Sequence, residues 1–300
     1  MIICSWNVKG LNDPSKVVEV KKILSRHNIS VIAIIETRRK EGNAQRIQNK
    51  FGSAWLWEMN YTCSPKGRIW IGWKHNRVNF QLIRKTDQTI HGDLSDKDGL
   101  FSVCFTAVYG LHTIEHRRPL WNELVNLSAV LTKPWLIMGD FNSVLFSGDR
   151  VNGNPVQIAE TKDFEECIQA AGITELKSCG NMFSWSNKGQ GDQRISSRID
   201  RAFGCCDWQS IFTEVCVDYL NPGISDHSPL LLDCNIAHHQ GSRPFKFFNY
   251  MASHERFRQV VQEGWDTPVV GTAMFQVWQK LKAVKKGLKH LHHKHLHQSC

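Results

Sequence analysis

Short apolar runs in the first half of the chain each end in a polar side chain. The runs and their polar ends are Ile2 to Trp6 with Asn7, Val31 to Ile35 with Glu36, Val103 to Val108 with Tyr109, and Trp135 to Met138 with Asp140. Apolar runs of about four to eight residues, bounded by polar or turn residues, are typical of buried strands. The pattern therefore predicts strands whose ends present four polar side chains.

Helical patterns lie between these runs. They span Lys16 to His27, Glu115 to Leu131, and about Ile158 to Ala171, where the next residue is Gly172. Glycine is a natural residue for the end of a helix. Strands that alternate with helices indicate an α/β architecture.

The later part of the chain is richer in strand patterns. These lie at Met182 to Ser186, Ile195 to Phe203, Phe212 to Tyr219 and Leu230 to Cys234. Between the first two, Lys188 to Gln193 contains two glycines and is typical of a hairpin tip. Two sheets packed on each other and covered outside by helices would accommodate this mixture. We therefore expect a four-layer α/β/β/α sandwich over residues 1–238.

The final segment, residues 239–300, differs from the rest of the chain in composition and charge. It begins with Arg243-Pro-Phe-Lys-Phe-Phe and continues into a basic helical pattern from Met274 to Lys289. The segment holds 10 lysines and arginines against 3 acids, so it carries +7 of the net charge of +9. We expect a mainly helical, basic extension. A nucleic-acid function of the first 238 residues must therefore rest on motifs.

Cysteine usage and apolar segments limit the class of protein. The ten cysteines include no C-x-x-C pair, so neither a zinc site nor a disulfide framework is indicated. Reduced thiols fit an intracellular protein. The start of the chain lacks a basic region, and no stretch reaches the roughly 20 apolar residues of a membrane span. These features argue against secretion and membrane insertion.

The polar residues at the strand ends suit phosphodiester hydrolysis. That reaction needs a cation at the phosphate, an activated water and a group that stabilises developing charge. Asn7 and Glu36 offer the oxygen ligands that Mg²⁺ prefers, and Mn²⁺ is a substitute with similar ligands. Gly139-Asp140-Phe141-Asn142 presents an acid and an amide two residues apart. Ser225-Asp226-His227-Ser228-Pro229 places an acid beside a histidine just before a strand.

The ordered motifs resemble those of the endonuclease/exonuclease/phosphatase superfamily. They are Trp6-Asn7, Glu36-Thr37-Arg38, Val108-Tyr109, Gly139-Asp140-Phe141-Asn142, Ser197-Arg198-Ile199-Asp200-Arg201 and Ser225-Asp226-His227-Ser228-Pro229. Six motifs in order over roughly residues 1–235 are more specific than any one of them. Each residue alone has an ordinary alternative as a turn former, a helix cap or a solvated strand end.

Three further segments resemble the endonuclease domain of plant non-LTR (LINE-type) retrotransposons. They are Trp135-Leu-Ile-Met-Gly-Asp-Phe-Asn, Met182-Phe-Ser-Trp-Ser-Asn and Ser197-Arg-Ile-Asp-Arg. The extension resembles the segment that precedes reverse transcriptase in such polyproteins. The resemblance implies an enzyme that nicks DNA and leaves a 3′-hydroxyl to prime reverse transcription, with a reverse transcriptase domain as a partner in a longer polyprotein. Access to chromosomal DNA would require the nucleus.

The resemblance also implies roles for the motif residues. Asn7 and Glu36 would hold the metal, with Asp226 adjoining that site. Asp140 would activate or orient the attacking water, and Asn142 would fix its position. The remaining implied catalytic residues are His227 at the scissile phosphate, Asp200 bonded to the far nitrogen of His227, and Tyr109 at a phosphate or the leaving oxygen.

Further residues have two open interpretations. Arg198 and Arg201 either contact phosphates, which suit the guanidinium fork, or form structural ion pairs. Lys188 lies at the hairpin tip, which either enters a DNA groove or is only exposed to solvent. Phe183 and Trp185 alternate with serines, and we expect them to pack in the core.

This sequence departs from repair-type relatives at two positions. Lys9 stands where those relatives carry an acid, which removes an oxygen from the metal site. His112 stands where many carry a substrate-contacting Asn. Two other functions remain open: a phosphatase or phosphodiesterase that acts on a small or lipid substrate, and an inactive nucleic-acid-binding remnant. The intact carboxylates at Glu36, Asp140, Asp200 and Asp226 argue against a decayed remnant.

Overall fold

The computed structural model describes residues 1–234, 252 and 254–298 of the 300-residue chain, with side chains to 288 and at 291. It divides into two compact units, Met1–Ala237 and His238–Cys300. The segment that begins at Arg243 and the histidine side chains between His290 and His297 lie outside the description. In the described part, no helix has the length and apolar character needed to cross a membrane.

The first unit contains two large sheets and one small sheet. The seven-stranded sheet has the order β11-β15-β16-β1-β2-β4-β3, the six-stranded sheet the order β10-β14-β8-β7-β6-β5, and the small sheet the order β12-β13-β9. The strands are β1 (Ile2–Asn7), β2 (Val31–Ile35), β3 (Trp55–Met59), β4 (Ile69–Lys74), β5 (Val78–Lys85), β6 (Thr89–Asp96), β7 (Ser102–Tyr109), β8 (Trp135–Asp140), β9 (Arg150–Val151), β10 (Ile173–Glu175), β11 (Ser178–Gly180), β12 (Trp185–Ser186), β13 (Ser196–Ser197), β14 (Asp200–Cys205), β15 (Val217–Tyr219) and β16 (Leu230–Asp233).

Five helices accompany these strands. They are α1 (Pro14–Arg26), α2 (Ala44–Gln48), α3 (Ile114–Ser128), α4 (Ile158–Ala170) and α5 (Cys206–Ile211). Short 3₁₀ turns cover Glu41–Asn43, Asn49–Phe51, Ser147–Asp149 and Gly191–Gln193. Asp13 caps α1 by accepting a hydrogen bond from the backbone N–H of Ser15, and Pro14 occupies the first turn, where its missing N–H costs nothing.

Side chains alternate between the two faces of each central strand and so build three cores. In β2, Val31, Ala33 and Ile35 face the opposite sheet, while Ile32 and Ile34 face the outer helices. The core between the sheets therefore holds one set of each strand's side chains. The outer cores pack the other set against α1 on one side and against α3 and α4 on the other.

This arrangement confirms the expected four-layer α/β/β/α sandwich with helices after it. The predicted runs at β1, β2, β7, β8 and β16 form strands, and the three predicted helices form within a few residues of their expected ends. Three strand predictions were too long. Met182 to Ser186 pairs only at Trp185–Ser186, and Phe212 to Tyr219 only at Val217–Tyr219. Ile195 to Phe203 divides into β13 of the small sheet and β14 of the six-stranded sheet.

The second unit is helical where it is described. It contains α6 (Phe257–Trp265) and α7 (Ala273–Gln298). A Cβ at Gly264 would lie 2.7 Å from the Val284 backbone, so the two helices approach closely at this glycine. Leu288 is buried, whereas Trp278 and Leu281 remain half exposed. The Lys282 ammonium lies 3.4 Å from the centroid of the Trp278 ring.

Candidate active site

Three polar residues form a row across neighbouring strands of the six-stranded sheet. The strand register pairs Tyr109 with Asp140 and Asp140 with Asp200. Asp140 has the same facing as Leu136 and Met138, which pack between the sheets, so its side chain also points toward the other sheet. The row therefore lies at the edge of the central core.

Asn7 and Glu36 occupy the corresponding edge of the seven-stranded sheet. β1 and β2 are parallel and pair Asn7 with Ile35, so Glu36 is the next residue beyond that pair. The following loops are fastened together, because the backbone N–H of Gly10 donates to the carbonyl of Glu36 at 2.7 Å. The carboxyl ends of parallel strands in both sheets thus meet at one place.

Direct hydrogen bonds join the two edges. Asn7 Nδ2 donates to Asp140 Oδ2 at 2.8 Å, and the Tyr109 hydroxyl donates to Glu36 Oε1 at 2.8 Å. Asp140 Oδ1 accepts from the backbone N–H of Asn142 at 2.8 Å. The Asn142 side chain donates to the carbonyl of Gly110 at 2.7 Å, which fixes the loop after β8 to the loop after β7.

His227 lies between two buried acids. Its Nδ1 is 2.8 Å from Asp200 Oδ2 and 3.9 Å from Asp140 Oδ2. Burial alone would lower the pKa of His227, but Asp200 and then Asp140 outweigh it and raise the pKa to about 9. The bond at Nδ1 leaves Nε2 as the ring nitrogen available to a substrate.

Burial also affects the acid at the centre of the site. Asp140 is 1% exposed, and desolvation followed by the charge of Asp200 raises its pKa. The charge of His227 and the amide of Asn7 oppose that rise. A carboxyl group with a raised pKa is a better proton acceptor than an ordinary one, so Asp140 is suited to act as a base.

Asp226 is held on one side only. Its Oδ2 lies 2.6 Å from Lys9 Nζ and accepts from Trp185 Nε1 at 3.1 Å. Burial would raise the pKa of Asp226, but the Lys9 ammonium and the charge of His227 keep it below its ordinary value. Its Oδ1 is buried and has no hydrogen-bond partner in the described part of the chain.

Glu36 is surrounded by cations. Arg38 contacts Glu36 Oε2 at 2.9 Å, and Arg68 lies 3.4 Å from Oε1 and donates to the Tyr109 hydroxyl at 2.7 Å. Arg68 was missed in the sequence because it belongs to no motif and reaches Glu36 only through the pairing of β2 with β4. Tyr109 is fully buried, and its pKa is raised by desolvation and then by Glu36.

The position of Tyr109 changes its expected role. Its hydroxyl lies against Glu36 and Arg68, and Tyr109 is not among the residues that line the cavity described below. It therefore supports Glu36 from behind. The expectation of a direct phosphate contact does not fit this placement.

Four residues at the site have left-handed backbone conformations. The φ angles are 48° at Lys9, 55° at Glu36, 51° at Arg38 and 48° at Asn142. Such conformations cost free energy for residues other than glycine, and they cluster at functional sites where the surrounding structure enforces them. The hydrogen bonds from the backbone N–H of Gly10 to the Glu36 carbonyl and from that of Asn142 to the Asp140 carboxylate hold two of these residues in that conformation.

A cavity of about 500 Å³ opens over these residues. Six of the expected site residues line it, namely Asn7, Glu36, Asp140, Asn142, Asp226 and His227. Lys9, Arg38, His112 and Arg150 add basic groups to the wall, and Trp185, Ile195 and Ile199 add an apolar surface. Asp200 lies behind His227. The arrangement suits an anion with an attached apolar or aromatic group.

The segment that carries Trp185 corrects one prediction. Phe183 and Trp185 are only partly buried, whereas Ser184 and Ser186 between them are buried. The Ser184 hydroxyl accepts the backbone N–H of Asp200 at 2.8 Å, so the serine, not the aromatic residue, faces inward. Trp185 instead reaches the cavity and Asp226.

A second correction concerns Arg198 and Arg201. Arg201 is 1% exposed and forms ion pairs with Asp149 and, at 2.6 Å, with Glu175. Arg198 donates to Glu175 at 2.8 Å and stacks over Tyr219. Neither arginine lines the cavity. The geometry favours structural ion pairs over phosphate contacts for both.

Lys188 remains exposed at the hairpin tip. It lies close enough to Lys16 to affect the pKa of that residue. Partial burial lowers the pKa of Lys16, the nearby Asp226 opposes this, and the cations Arg38, Lys188 and Lys9 lower it further. These four cations therefore form a basic cluster beside Asp226.

Two sets of side chains are candidates for a metal. In the described part, Asp140, Asp200 and His227 place one possible ligand atom each within 4.8 Å of one another. Those atoms already bond to each other or to Asn7. Asn7 and Glu36 offer side-chain oxygens at the cavity wall instead, with Asp226 beside them, and oxygen is the ligand that Mg²⁺ prefers. The second set fits such an ion better.

Solved structures of several enzymes share this fold. The endonuclease domain of TRAS1, a telomere-specific non-LTR retrotransposon, is 11% identical, with a TM-score of 0.57 over 79% of this chain and 99% of its own. The 3′ phosphatase NExo from Neisseria, bound to product DNA hairpin, is 17% identical, with a TM-score of 0.58 over 78% and 98%. The AP endonuclease LMAP from Leishmania major is 15% identical, with a TM-score of 0.61 over 77% and 86%.

At these identities the likeness establishes the fold. Among curated proteins, no relative matches the sequence. A family model provides the wider assignment, because it matches residues 4–227 and so covers every residue of the cavity wall. The chain belongs to the endonuclease/exonuclease/phosphatase family.

Proposed function

We propose that this protein is a Mg²⁺-dependent endonuclease that nicks DNA by phosphodiester hydrolysis and leaves a 3′-hydroxyl. The observation that carries the proposal is the pair of buried hydrogen bonds beneath one cavity, from Asn7 to Asp140 and between Asp200 and His227, with His227 Nδ1 3.9 Å from Asp140 Oδ2. It provides a base, a positively charged donor and oxygen ligands within one site.

A divalent ion held by Asn7 and Glu36 would neutralise the charge of the phosphate. Mn²⁺ has similar ligand preferences and is expected to substitute. Arg68 and Tyr109 hold the Glu36 carboxylate from behind, and Arg38 contacts its outer oxygen. The ion and Arg38 therefore compete for Glu36 Oε2.

Asp140 takes the proton of the attacking water in this proposal. It is buried, its pKa is raised, and its two oxygens are oriented by Asn7 and by the backbone of Asn142. The Asn142 side chain lies on the cavity wall, where it restricts the position of the water. A base held in one orientation adds typically about 10²- to 10⁴-fold to the rate of proton transfer.

His227 binds the phosphate through Nε2. Asp200 occupies Nδ1 at 2.8 Å, which fixes the ring and favours its charged form, with a pKa of about 9. A charged donor stabilises the negative charge that develops on the phosphate oxygens in the transition state. Asp200 therefore acts on the substrate only through His227.

The basic cluster beside the cavity supports a nucleic acid as substrate. Lys9, Lys16, Arg38 and Lys188 lie near one another, and Arg150 adds a further cation to the cavity wall. The phosphates that flank a cleaved bond need cations beyond the reacting centre.

A retroelement context is part of the proposal. The fold resembles that of the TRAS1 endonuclease domain, and the sequence motifs resemble those of plant LINE-type elements. A nick that leaves a 3′-hydroxyl would prime a reverse transcriptase, which is the proposed partner in a longer polyprotein. The protein would act on chromosomal DNA, hence in the nucleus.

The test uses supercoiled plasmid with the purified full chain, in Mg²⁺ and in EDTA. We expect conversion to open circles that requires Mg²⁺ and is lost in Glu36→Gln and His227→Ala. Glu166→Gln is the matched control, because Glu166 is an exposed acid on α4. Extension of the nicked strand by a DNA polymerase would demonstrate the 3′-hydroxyl.

The competing functions predict different results. A phosphatase would release phosphate from a soluble monoester as fast as it nicks plasmid. An inactive remnant would bind DNA but nick it no faster than the His227→Ala variant does. Either outcome, obtained with folded protein, would overturn the proposal.

A further inference from the structure

Lys9 is built into the site by several independent contacts. Its ammonium group lies 2.6 Å from Asp226 Oδ2, and its backbone is left-handed with a φ of 48°. Its carbonyl accepts a hydrogen bond from Lys16 Nζ at 2.9 Å, and its N–H donates to Asn7 Oδ1 at 2.9 Å. The loop therefore aims Lys9 at Asp226.

Asp226 has an open oxygen beside this ammonium group. Oδ2 receives both Lys9 and Trp185, whereas Oδ1 is buried and has no partner among the described residues. The Asp226 side chain is 7% exposed and lines the cavity. Buried carboxylate oxygens are normally paired, so Oδ1 retains the capacity to accept one further donor or cation.

The Lys9 ammonium group already supplies a positive charge to Asp226, at Oδ2. An ammonium group has three N–H donors, and one of them bonds to Asp226 Oδ2. The Lys9 side chain is 49% exposed on the cavity wall, so its other donors remain available to a ligand. A divalent ion on Asp226 would lie close to this positive charge and would be repelled by it.

We propose that the Lys9 ammonium group is the second cation of the site. In two-metal enzymes a second ion bridges protein carboxylates and a phosphate oxygen. Here Lys9 bridges Asp226 and a phosphate oxygen in the same way, so the protein binds a single divalent ion at Asn7 and Glu36. The phosphate contact rests on the proposed function, whereas the ion count does not.

The ion count is measured by titrating Mn²⁺ into the full chain and following free Mn²⁺ by electron paramagnetic resonance. We expect one ion in the wild type and two in Lys9→Asp, because that change removes the repulsion and adds a ligand next to Asp226. Asp226→Asn in the Lys9→Asp background should return the count to one. Lys162→Asp is the control, since Lys162 is an exposed lysine on α4.

Three outcomes would overturn the inference. They are two ions in the wild type, no ion in the wild type, and a single ion in a Lys9→Asp variant whose circular dichroism and melting match the wild type. None of these readings depends on DNA cleavage. If the protein fails to nick plasmid while the ion counts follow the expectation, the proposed function fails and the single-ion site stands.

The phosphate contact is tested separately with Lys9→Met. Loss of a charged hydrogen bond should raise the KM for plasmid about 10-fold or more and reduce the slope of log affinity against log salt by about 1. The Lys162→Met control should change neither quantity. An unchanged KM and an unchanged slope in Lys9→Met would remove the phosphate contact from the proposal.

Discussion

Asn7 ends β1 in one sheet, Asp140 ends β8 in the other, and Asn7 Nδ2 donates to Asp140 Oδ2 at 2.8 Å. The bond joins the proposed metal ligand to the proposed base across the interface between the sheets. Both residues are 1% exposed, so the bond is shielded from water. A change in how the sheets pack would therefore change the relative position of the ion and the base.

Asn7→Asp separates the two functions of this side chain. An aspartate keeps an oxygen for the ion but loses the N–H that orients Asp140, and it places a second negative charge beside that acid. We expect Mn²⁺ affinity to be retained or increased while kcat for plasmid nicking falls about 10²-fold. Calorimetry and plasmid nicking measure the two quantities.

Two comparisons make this test specific. Asn7→Ala should lose both ion affinity and activity, whereas Asn126→Asp, at an exposed position on α3, should lose neither. If Asn7→Asp nicks plasmid at the wild-type rate, the hydrogen bond to Asp140 has no part in catalysis.

The central strands could be predicted because burial on both faces produces continuous apolar runs. β2, for example, is Val-Ile-Ala-Ile-Ile, and all five residues are buried. The motifs at the ends of β1, β2 and β8 then account for four of the six expected residues in the cavity wall, Asn7, Glu36, Asp140 and Asn142. The carboxyl ends of parallel strands meet at one edge of a sheet. A polar residue that ends such a strand can therefore be placed at that edge from the sequence alone.

The peripheral strands lacked such a signal. β5 (Val78–Lys85) is exposed at several positions, and its pairing with β6 decides its conformation. Arg68 was missed and Trp185 was wrongly expected in the core for the same reason. Their partners Glu36 and Asp226 are distant in sequence. A local sequence pattern shows the period of apolar and polar positions along the chain. It does not show which distant residue a side chain contacts.

Asp200→Asn tests the support of His227. An amide keeps the size of the side chain but removes the charge that stabilises the positive ring. We expect kcat to fall about 10²- to 10⁴-fold, with a smaller effect on KM, because the donor acts mainly in the transition state. Asp98→Asn, at an exposed loop position, is the control and should retain wild-type kinetics. Equal losses in the two variants would argue against a role for Asp200.

Arg201→Met tests the correction made for that residue. Arg201 is buried between Asp149 and Glu175, and its removal leaves both acids without their partner. We expect the free energy of unfolding in urea to fall by about 3 kcal/mol, as for other broken buried ion pairs. Arg46→Met, at an exposed position, should change it little. A raised KM for DNA with unchanged stability would restore the phosphate-contact interpretation.

His91 predicts a specific dependence of stability on pH. It is 1% exposed, its Nδ1 lies 2.7 Å from the Thr106 hydroxyl, and desolvation lowers its pKa to about 4. An unfolded chain has a histidine pKa of about 6.5 and therefore takes up the proton first as the pH falls. This contribution to stability is full above pH 6.5 and is lost progressively down to about pH 4.

The loss amounts to about 3 kcal/mol over that range. The free energy of unfolding in urea should fall less steeply from pH 7 to pH 4 in His91→Phe than in the wild type. Groups common to both proteins cancel in the comparison. In His75→Phe, at an exposed position, the free energy of unfolding should fall as steeply as in the wild type. Parallel declines in the wild type and His91→Phe would mean that His91 is protonated in the folded protein.

Gly139→Ala tests whether the approach of β7 to β8 sets the position of Asp140. A Cβ at Gly139 would lie 2.0 Å from the Val108 carbonyl oxygen, which is backbone and cannot rotate away. We expect a loss of about 3 kcal/mol in the free energy of unfolding, as for overpacked cores, together with a reduced kcat. A Cβ at Gly148 would have nothing within 4 Å, so Gly148→Ala should change neither the free energy of unfolding nor kcat. If Gly139→Ala lost stability but kept its kcat, the position of Asp140 would be set by its bonds to Asn7 and Asn142 and not by the strand that carries it.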